Sequence, residues 1–127
     1  MPRQTIATAA APGSPLYSQG VRVGSTIYVS GMVGMDMTTG EIAGSTIQEQ
    51  TRQALRNCVA VVEAGGGTQA DIIQVMVLLA NPADFAGMNE EYAKAFPADP
   101  PARAVARLGP ELPNVLLSIL MTAQLET

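Results

Sequence analysis

The chain has 127 residues, 47% of them hydrophobic, with seven Lys and Arg against eleven Asp and Glu, a formal charge of −4 and no histidine. That length suits one domain, residues 1–127, and leaves no room for separate catalytic and regulatory units. The cations are scattered without a basic run, so no groove tracking nucleic-acid phosphates is expected, and nucleic acid is not an expected partner. Without histidine, the chain has no Ser-His-Asp or Cys-His nucleophile pair, no imidazole base and none of the commonest metal ligand.

Cys58 is the single thiol, which rules out an intrachain disulfide and a Cys-rich zinc site; no metal is expected. The start of the chain has Arg3 and small residues from Ala7 to Ala11 but no apolar core of a secretory signal. No apolar run is long enough to span a bilayer, so a cytoplasmic protein without membrane contact is expected.

In chain order, Pro12, Gly13 and Pro15 interrupt the first segment. Tyr17 to Val23 alternates loosely and ends at Gly24-Ser25; Thr26 to Ser30, rich in β-branched and aromatic residues, completes a hairpin before Gly31. Thr38-Thr39-Gly40-Glu41 is turn chemistry, and Thr46 with Glu49 fits a capping box. From Ile47, apolar residues recur at helical spacing through Val62, predicting an amphipathic helix of about five turns that Gly65-Gly66-Gly67 stops. The triplet follows a helix instead of opening one, so it reads as a stop and not as a phosphate cradle.

Ile72 to Ala80 is a nearly continuous apolar run and predicts a buried strand. A second helix carries Asp84, Phe85, Met88, Asn89, Tyr92 and Phe96, and Pro97 to Pro101 closes it. Asn89 falls on its apolar face, either as a hydrogen-bonded structural amide or as a ligand contact. A strand over Arg103 to Leu108, a Gly/Pro loop over 109–113 and a final strand from Val115 to about Gln124 complete the chain. The final strand reads as apolar on both faces, so the sheet face that two helices leave open is expected to pack against further copies of the chain.

Pro100-Pro101 fixes how the chain enters the strand that Arg103 opens. Arg103 is then a surface charge, an ion-pair partner, or a planar fork aimed at a small carboxylate or phosphate.

The order β-β-α-β-α-β-β, with Tyr17-Ser18-Gln19-Gly20-Val21, Ser30-Gly31, Thr39-Gly40-Glu41, Glu49 to Asn57, Ala83-Asp84-Phe85, Met88 to Tyr92 and Phe96 to Arg103, resembles the Rid family, also called the YjgF family, over almost the whole chain. The resemblance implies an α+β, chorismate-mutase-like fold, a homotrimer with a barrel-like core and helices outside, and ligand clefts between subunits. It implies hydrolysis of enamine or imine intermediates to 2-keto acids and ammonia without cofactor or metal. Arg103 would hold the substrate carboxylate; Tyr17, Ser30, Gly31 and Asn89 would line or border the cleft, and the backbone around Val105 would bind the polar end.

One departure matters. Active members carry a glutamate on the final strand, in a stretch like Glu-Ile-Glu-Ala, and this chain has Ser118-Ile119-Leu120-Met121 there, so the acid position becomes Leu120. A cysteine common near Val105 is also missing, and Cys58 reads as a core thiol. A leucine neither accepts a proton nor orders a water. Two readings stay open: an imine deaminase that orients water by other groups, or a non-catalytic trimer that binds small carboxylates or acts as a chaperone-like module. Endoribonuclease activity gains no support from an acidic chain without histidine.

Overall fold

A computed structural model describes residues 2–126. Six strands form one mixed sheet in the order β1(Gln4–Ile6), β2(Gly20–Val23), β3(Thr26–Met32), β8(Leu117–Gln124), β6(Ile72–Leu79), β7(Ala102–Arg107). The short β4(Met35–Asp36) and β5(Glu41–Ile42) make a separate hairpin around the Thr38–Gly40 turn. β3 and β6 both pair antiparallel with β8, and therefore run parallel to each other. Parallel strands need a crossover, and α1(Ile47–Ala64) supplies it; α2(Phe85–Ala95) does the same between β6 and its parallel neighbour β7. Both helices lie on one face of the sheet, giving the two-layer α+β architecture expected from the sequence.

The predicted elements are present with shifted ends. β2 begins at Gly20, three residues after Tyr17, and β8 begins at Leu117, two after Val115. The sequence reading omits β1 and the small β4–β5 hairpin, each too short to show a period of its own. α1 starts as expected: the Thr46 side chain accepts from the Glu49 N–H, and the Glu49 carboxylate accepts from the Thr46 N–H. It ends where Gly66 adopts φ +99°, which an L side chain resists, and where the Gly67 N–H reaches back to Val62 O at 2.9 Å.

The core lies between the helices and the inward sheet face. Ala54, Cys58, Val61 and Val62 of α1 and Met88 of α2 pack with Ile27, Val29, Val75, Val77, Leu117, Ile119 and Met121. Each such side chain removed from water contributes roughly 1.5–3 kcal/mol before conformational entropy is charged against it. Cys58 is fully buried, donates to Ile119 O at 3.2 Å, and has its thiol pKa pushed well up by burial, which makes it an inert core thiol.

β8 corrects one sequence expectation. Its inward residues Leu117, Ile119, Met121 and Ala123 are buried, but the opposite face presents Ser118, Leu120, Thr122 and Gln124, of which only Leu120 is apolar. The strand alternates once its neighbours define its two faces.

Three buried amides fasten the long loops to this frame. Gln50 donates to Gly44 O and Asn114 O at 3.1 and 2.9 Å and accepts from the Leu116 N–H at 2.9 Å. Asn57 donates to Val33 O and Met35 O, both at 2.9 Å. Gln19 accepts from the Thr8 N–H at 2.6 Å and donates to Thr8 O, Ala11 O and Pro12 O.

Replacing Gln50 with alanine strands three backbone groups, and chemical denaturation should show a loss of roughly 2–4 kcal/mol. Acid should act gradually. The pKa of Glu91 is lowered by hydrogen bonding to Lys94, then by Arg52; that of Glu49 is lowered by Thr46, and that of Asp36 by Thr38. Groups with depressed folded pKa values contribute stability in full above their unfolded values of about 4, and lose it as pH falls through the folded values. The melting temperature should therefore be flat near neutrality and decline on acidification below about pH 4, in step with proton uptake on unfolding.

Candidate functional site

Arg103 enters the edge strand β7 directly after Pro100-Pro101. Its partner across the parallel ladder is the buried Val75, so its side chain leaves the sheet on the helix side, towards α2. Phe85, Met88, Asn89 and Tyr92 stand at positions i, i+3, i+4 and i+7 of α2, which share one helical face. That face receives the guanidinium. Asn89 Oδ1 accepts from Arg103 Nη1 at 2.7 Å, Met88 Sδ lies 4.0 Å from the same nitrogen, and Arg103 Cζ stands 4.7 Å from the Tyr92 ring centroid and 5.7 Å from that of Phe85.

These contacts orient the guanidinium without neutralising it. A cation over an aromatic face gains about 0.5–1 kcal/mol at an exposed site, and the Asn89 carbonyl occupies only one of five N–H donors. Arg103 itself remains exposed, so the rest of its fork is available to an anion. Burial raises the Tyr92 phenol pKa, against the opposing effect of the Arg103 charge, and its hydroxyl is sealed without a hydrogen-bond partner among the described residues. β7 is the sheet edge, so the backbone on its outer side, along the stretch that includes Val105, has no strand partner among the described residues.

A second group lies on the opposite face. The pairs Val29↔Met121 and Met32↔Ile119 bracket a bulge that sets Ser30-Gly31 against Leu120. Ser30 Oγ donates to Ser18 O at 2.5 Å, and its N–H donates to Gln19 O at 2.9 Å, tying the bulge to the loop that carries Tyr17. Tyr17 is 44% exposed. Gly31 has close neighbours: a Cβ there would stand 2.8 Å from Ser118 Oγ. Leu120 pairs with Met76, one residue along β6 from Val75, so Leu120 and Arg103 point to opposite sides of the sheet.

The candidate residues therefore assemble as two half-sites within one chain: Arg103 and Asn89, with the free β7 edge beside Val105, and Tyr17, Ser30, Gly31 and Leu120 on the other face. Two grooves of about 560 and 670 Å³ lie elsewhere, one between α1 and α2 beside Arg52 and Phe96, the other beneath the Gly40–Ser45 loop, and neither is lined by Arg103 or Leu120. Among the described residues, no group of three Cys, Asp or Glu is placed to hold a metal.

Sequence reasoning missed the Tyr92 and Phe85 supports of Arg103, although their i, i+7 spacing around Asn89 was visible as an apolar face. It also missed Gln19 as the anchor of the Tyr17 loop and Ser118 as the neighbour of Gly31. A glutamine's partners eleven residues away and a serine's neighbour across a bulge leave no periodic signal.

Comparison with known proteins places this geometry in a family. A family profile described as Endoribonuclease L-PSP matches residues 7–125. A human protein named 2-iminobutanoate/2-iminopropanoate deaminase is 41% identical over 103 residues, covering 80% of this chain and 75% of its own length. Among solved structures, an L-PSP-type protein of Entamoeba histolytica superposes with a TM-score of 0.91 at 33% identity, over 98% of this chain and 100% of the other. The E. coli protein TdcF, solved with bound serine, gives a TM-score of 0.88 at 34% identity, over 97% of this chain and 99% of the other. The fold of these neighbours is the chorismate-mutase-like one, and the chain belongs to the Rid family of L-PSP proteins.

Proposed function

We propose that this protein is a deaminase that hydrolyses short 2-imino acids, and the enamines in equilibrium with them, to 2-keto acids and ammonia, in clefts formed between copies of a homotrimer. The observation that carries this reading is Arg103, an exposed guanidinium held by Asn89 and Tyr92 on an open strand edge, in a chain whose overall charge is negative. Such a group is suited to a carboxylate, and 2-imino acids carry one beside the reacting carbon. The names of the human relative and of serine-bound TdcF support a small amino-acid-derived ligand.

The assembly follows from the two half-sites. Arg103 cannot reach Leu120 or Gly31 through its own sheet, so a cleft uniting them needs a second copy. The open face favours that packing. Its positions on the five strands from β2 to β7 include Val21, Tyr28, Met76, Leu78, Ala104 and Leu120, and none of its positions is charged. Tyr28 is 54% exposed in the isolated chain, a large aromatic surface for solvent to cover. Closing three such faces on one another leaves the helices outside.

The chemistry asks little of the protein. An iminium is already electrophilic, and its hydrolysis consumes one water and releases ammonium with no net proton change. Fixing the carboxylate and excluding other orientations supplies most of the acceleration through proximity. Leu120 favours a second reading, a trimer that binds 2-keto acids without turning substrate over, because a leucine activates no water. The acidic, histidine-free chain gives no support to RNA cleavage, whatever the family description.

Imino acids generated in situ from amino acids by an oxidase, with semicarbazide competing for them, separate the readings. The protein should divert 2-iminobutanoate from the semicarbazone to 2-ketobutanoate, and semicarbazone yields identical with and without it would leave only the binding role. Arg103→Ala should weaken 2-ketobutanoate binding by about tenfold or more in calorimetry, with the trimer intact by light scattering; undiminished affinity would remove Arg103 from the site. Leu120→Glu should raise turnover wherever the trimer tolerates the buried charge, as single-turnover rates would show.

A further inference from the structure

The groove of about 560 Å³ between α1 and α2 has the size of a small-molecule site and lies apart from both half-sites. α1 lines it with Arg52, Arg56, Val59 and Glu63, which follow one another a turn apart on one stripe of the helix. α2 contributes Glu91 and Lys94, on a different stripe from the one that meets Arg103, and Phe96 follows at its C-terminus. Leu55 is buried and Val59 and Phe96 are half-buried, so the surface beneath a ligand is apolar and includes an aromatic ring. The cations are arranged by a buried acid. The Glu91 side chain is only 5% exposed, and its two oxygens accept separately, from Arg52 Nε at 2.9 Å and from Lys94 Nζ at 2.7 Å. One cation from each helix is thereby held, at the cost of a single donor each; both terminal nitrogens of Arg52 have no partner among the described residues. Arg56, one turn further along α1, makes no hydrogen bond or ion pair among the described residues. Asp36 and Glu49, on the other side of the two arginines, temper the charge there, but their hydrogen bonds go to Thr38 and Thr46. Glu63 stands about 10 Å along α1 from Arg56, at the far end of the groove.

We propose that this groove is a second small-molecule site, and that it takes a phosphate monoester carried on an aromatic or similarly flat apolar body. The phosphate sits at the end formed by Arg52, Arg56 and Lys94, and the ring lies over Leu55, Val59 and Phe96. Three cations face one buried acid at that end, an excess that suits a phosphate monoester, with about −1.5 to −2 charges at neutral pH, better than a single carboxylate. Guanidinium nitrogens engage phosphate oxygens in pairs, and the unused terminal nitrogens of Arg52 and the whole fork of Arg56 are free to do so. The site belongs to the helix layer, so copies packed through the open sheet face leave it accessible, and it stands whether or not the protein hydrolyses imines.

Calorimetry with 1-naphthyl phosphate tests this, with 1-naphthol and inorganic phosphate as the two halves of the probe. The wild-type protein should bind one 1-naphthyl phosphate per chain, at least about tenfold more tightly than either half, because charge and apolar surface are recognised together. Arg103→Ala should leave that affinity unchanged. Arg56→Gln, which removes a cation without stranding a partner, should weaken it about tenfold at an unchanged melting temperature, and Arg56→Glu should weaken it further. Absence of saturable binding, equal affinity for the probe and for either half, or wild-type affinity in both Arg56 variants overturns the site. A loss in Arg103→Ala with none in the Arg56 variants would assign the probe to Arg103 and overturn it equally.

Discussion

The pairing register of β6 with its two neighbours is the constraint on which the arrangement of this molecule depends. Val75 stands beside Arg103 on one side and Met121 on the other, and Met76 stands beside Ala104 and Leu120. Because strand side chains alternate, that register sends Arg103 to the helix layer and Leu120 to the open face. A slip of one residue would bury Met76 in place of Val75, turn a guanidinium onto the uncharged face and strip α2 of its cation. The buried side chains Val75, Val77, Leu117, Ile119 and Met121 forbid the slip, since each would exchange core for solvent.

That frame is made precise by polar groups as much as by apolar ones. Gln19, Gln50 and Asn57 are nearly inaccessible, and each engages backbone of a loop with no regular partner. Buried amides that satisfy loop carbonyls hold irregular chain close to a packed core without leaving unpaired polar groups. The loop bearing Tyr17 and the bulge bearing Ser30-Gly31 are positioned through Gln19 and its neighbours. Arg103 is held in the same sense: its guanidinium stands over the Tyr92 ring and Asn89 accepts from one of its donors, so a ligand of the proposed site would find it already oriented.

In the proposed cleft, Leu120 sets an apolar side chain beside the Ser30-Gly31 bulge. An apolar surface there would lower the local polarity and strengthen the proposed attraction between Arg103 of one copy and a carboxylate near Gly31 of another. A leucine side chain itself orders no water.

Much of this was legible in the residues themselves. The capping box at Thr46 and Glu49, the helical period from Ile47 to Val62, the buried run from Ile72 and the prolines before Arg103 are local signals, and local sterics and hydrogen bonding enforce them wherever they occur. The resemblance named Arg103 and Asn89 separately among the cleft residues; that they are joined by a 2.7 Å hydrogen bond is a matter of the fold. What composition and period could not hold was which side of the sheet each residue meets. β8 read as apolar on both faces until β3 and β6 assigned one face to the core, and nothing in the period of α2 showed that β7 would bring a guanidinium over the Tyr92 ring. The amino-acid sequence by itself determined the elements and their order and placed Arg103 directly after Pro100-Pro101, because these follow from neighbours along the chain. The tertiary structure alone decided that Arg103 and Leu120 stand on opposite sides of one sheet, because facing is set by strand register between residues far apart in sequence.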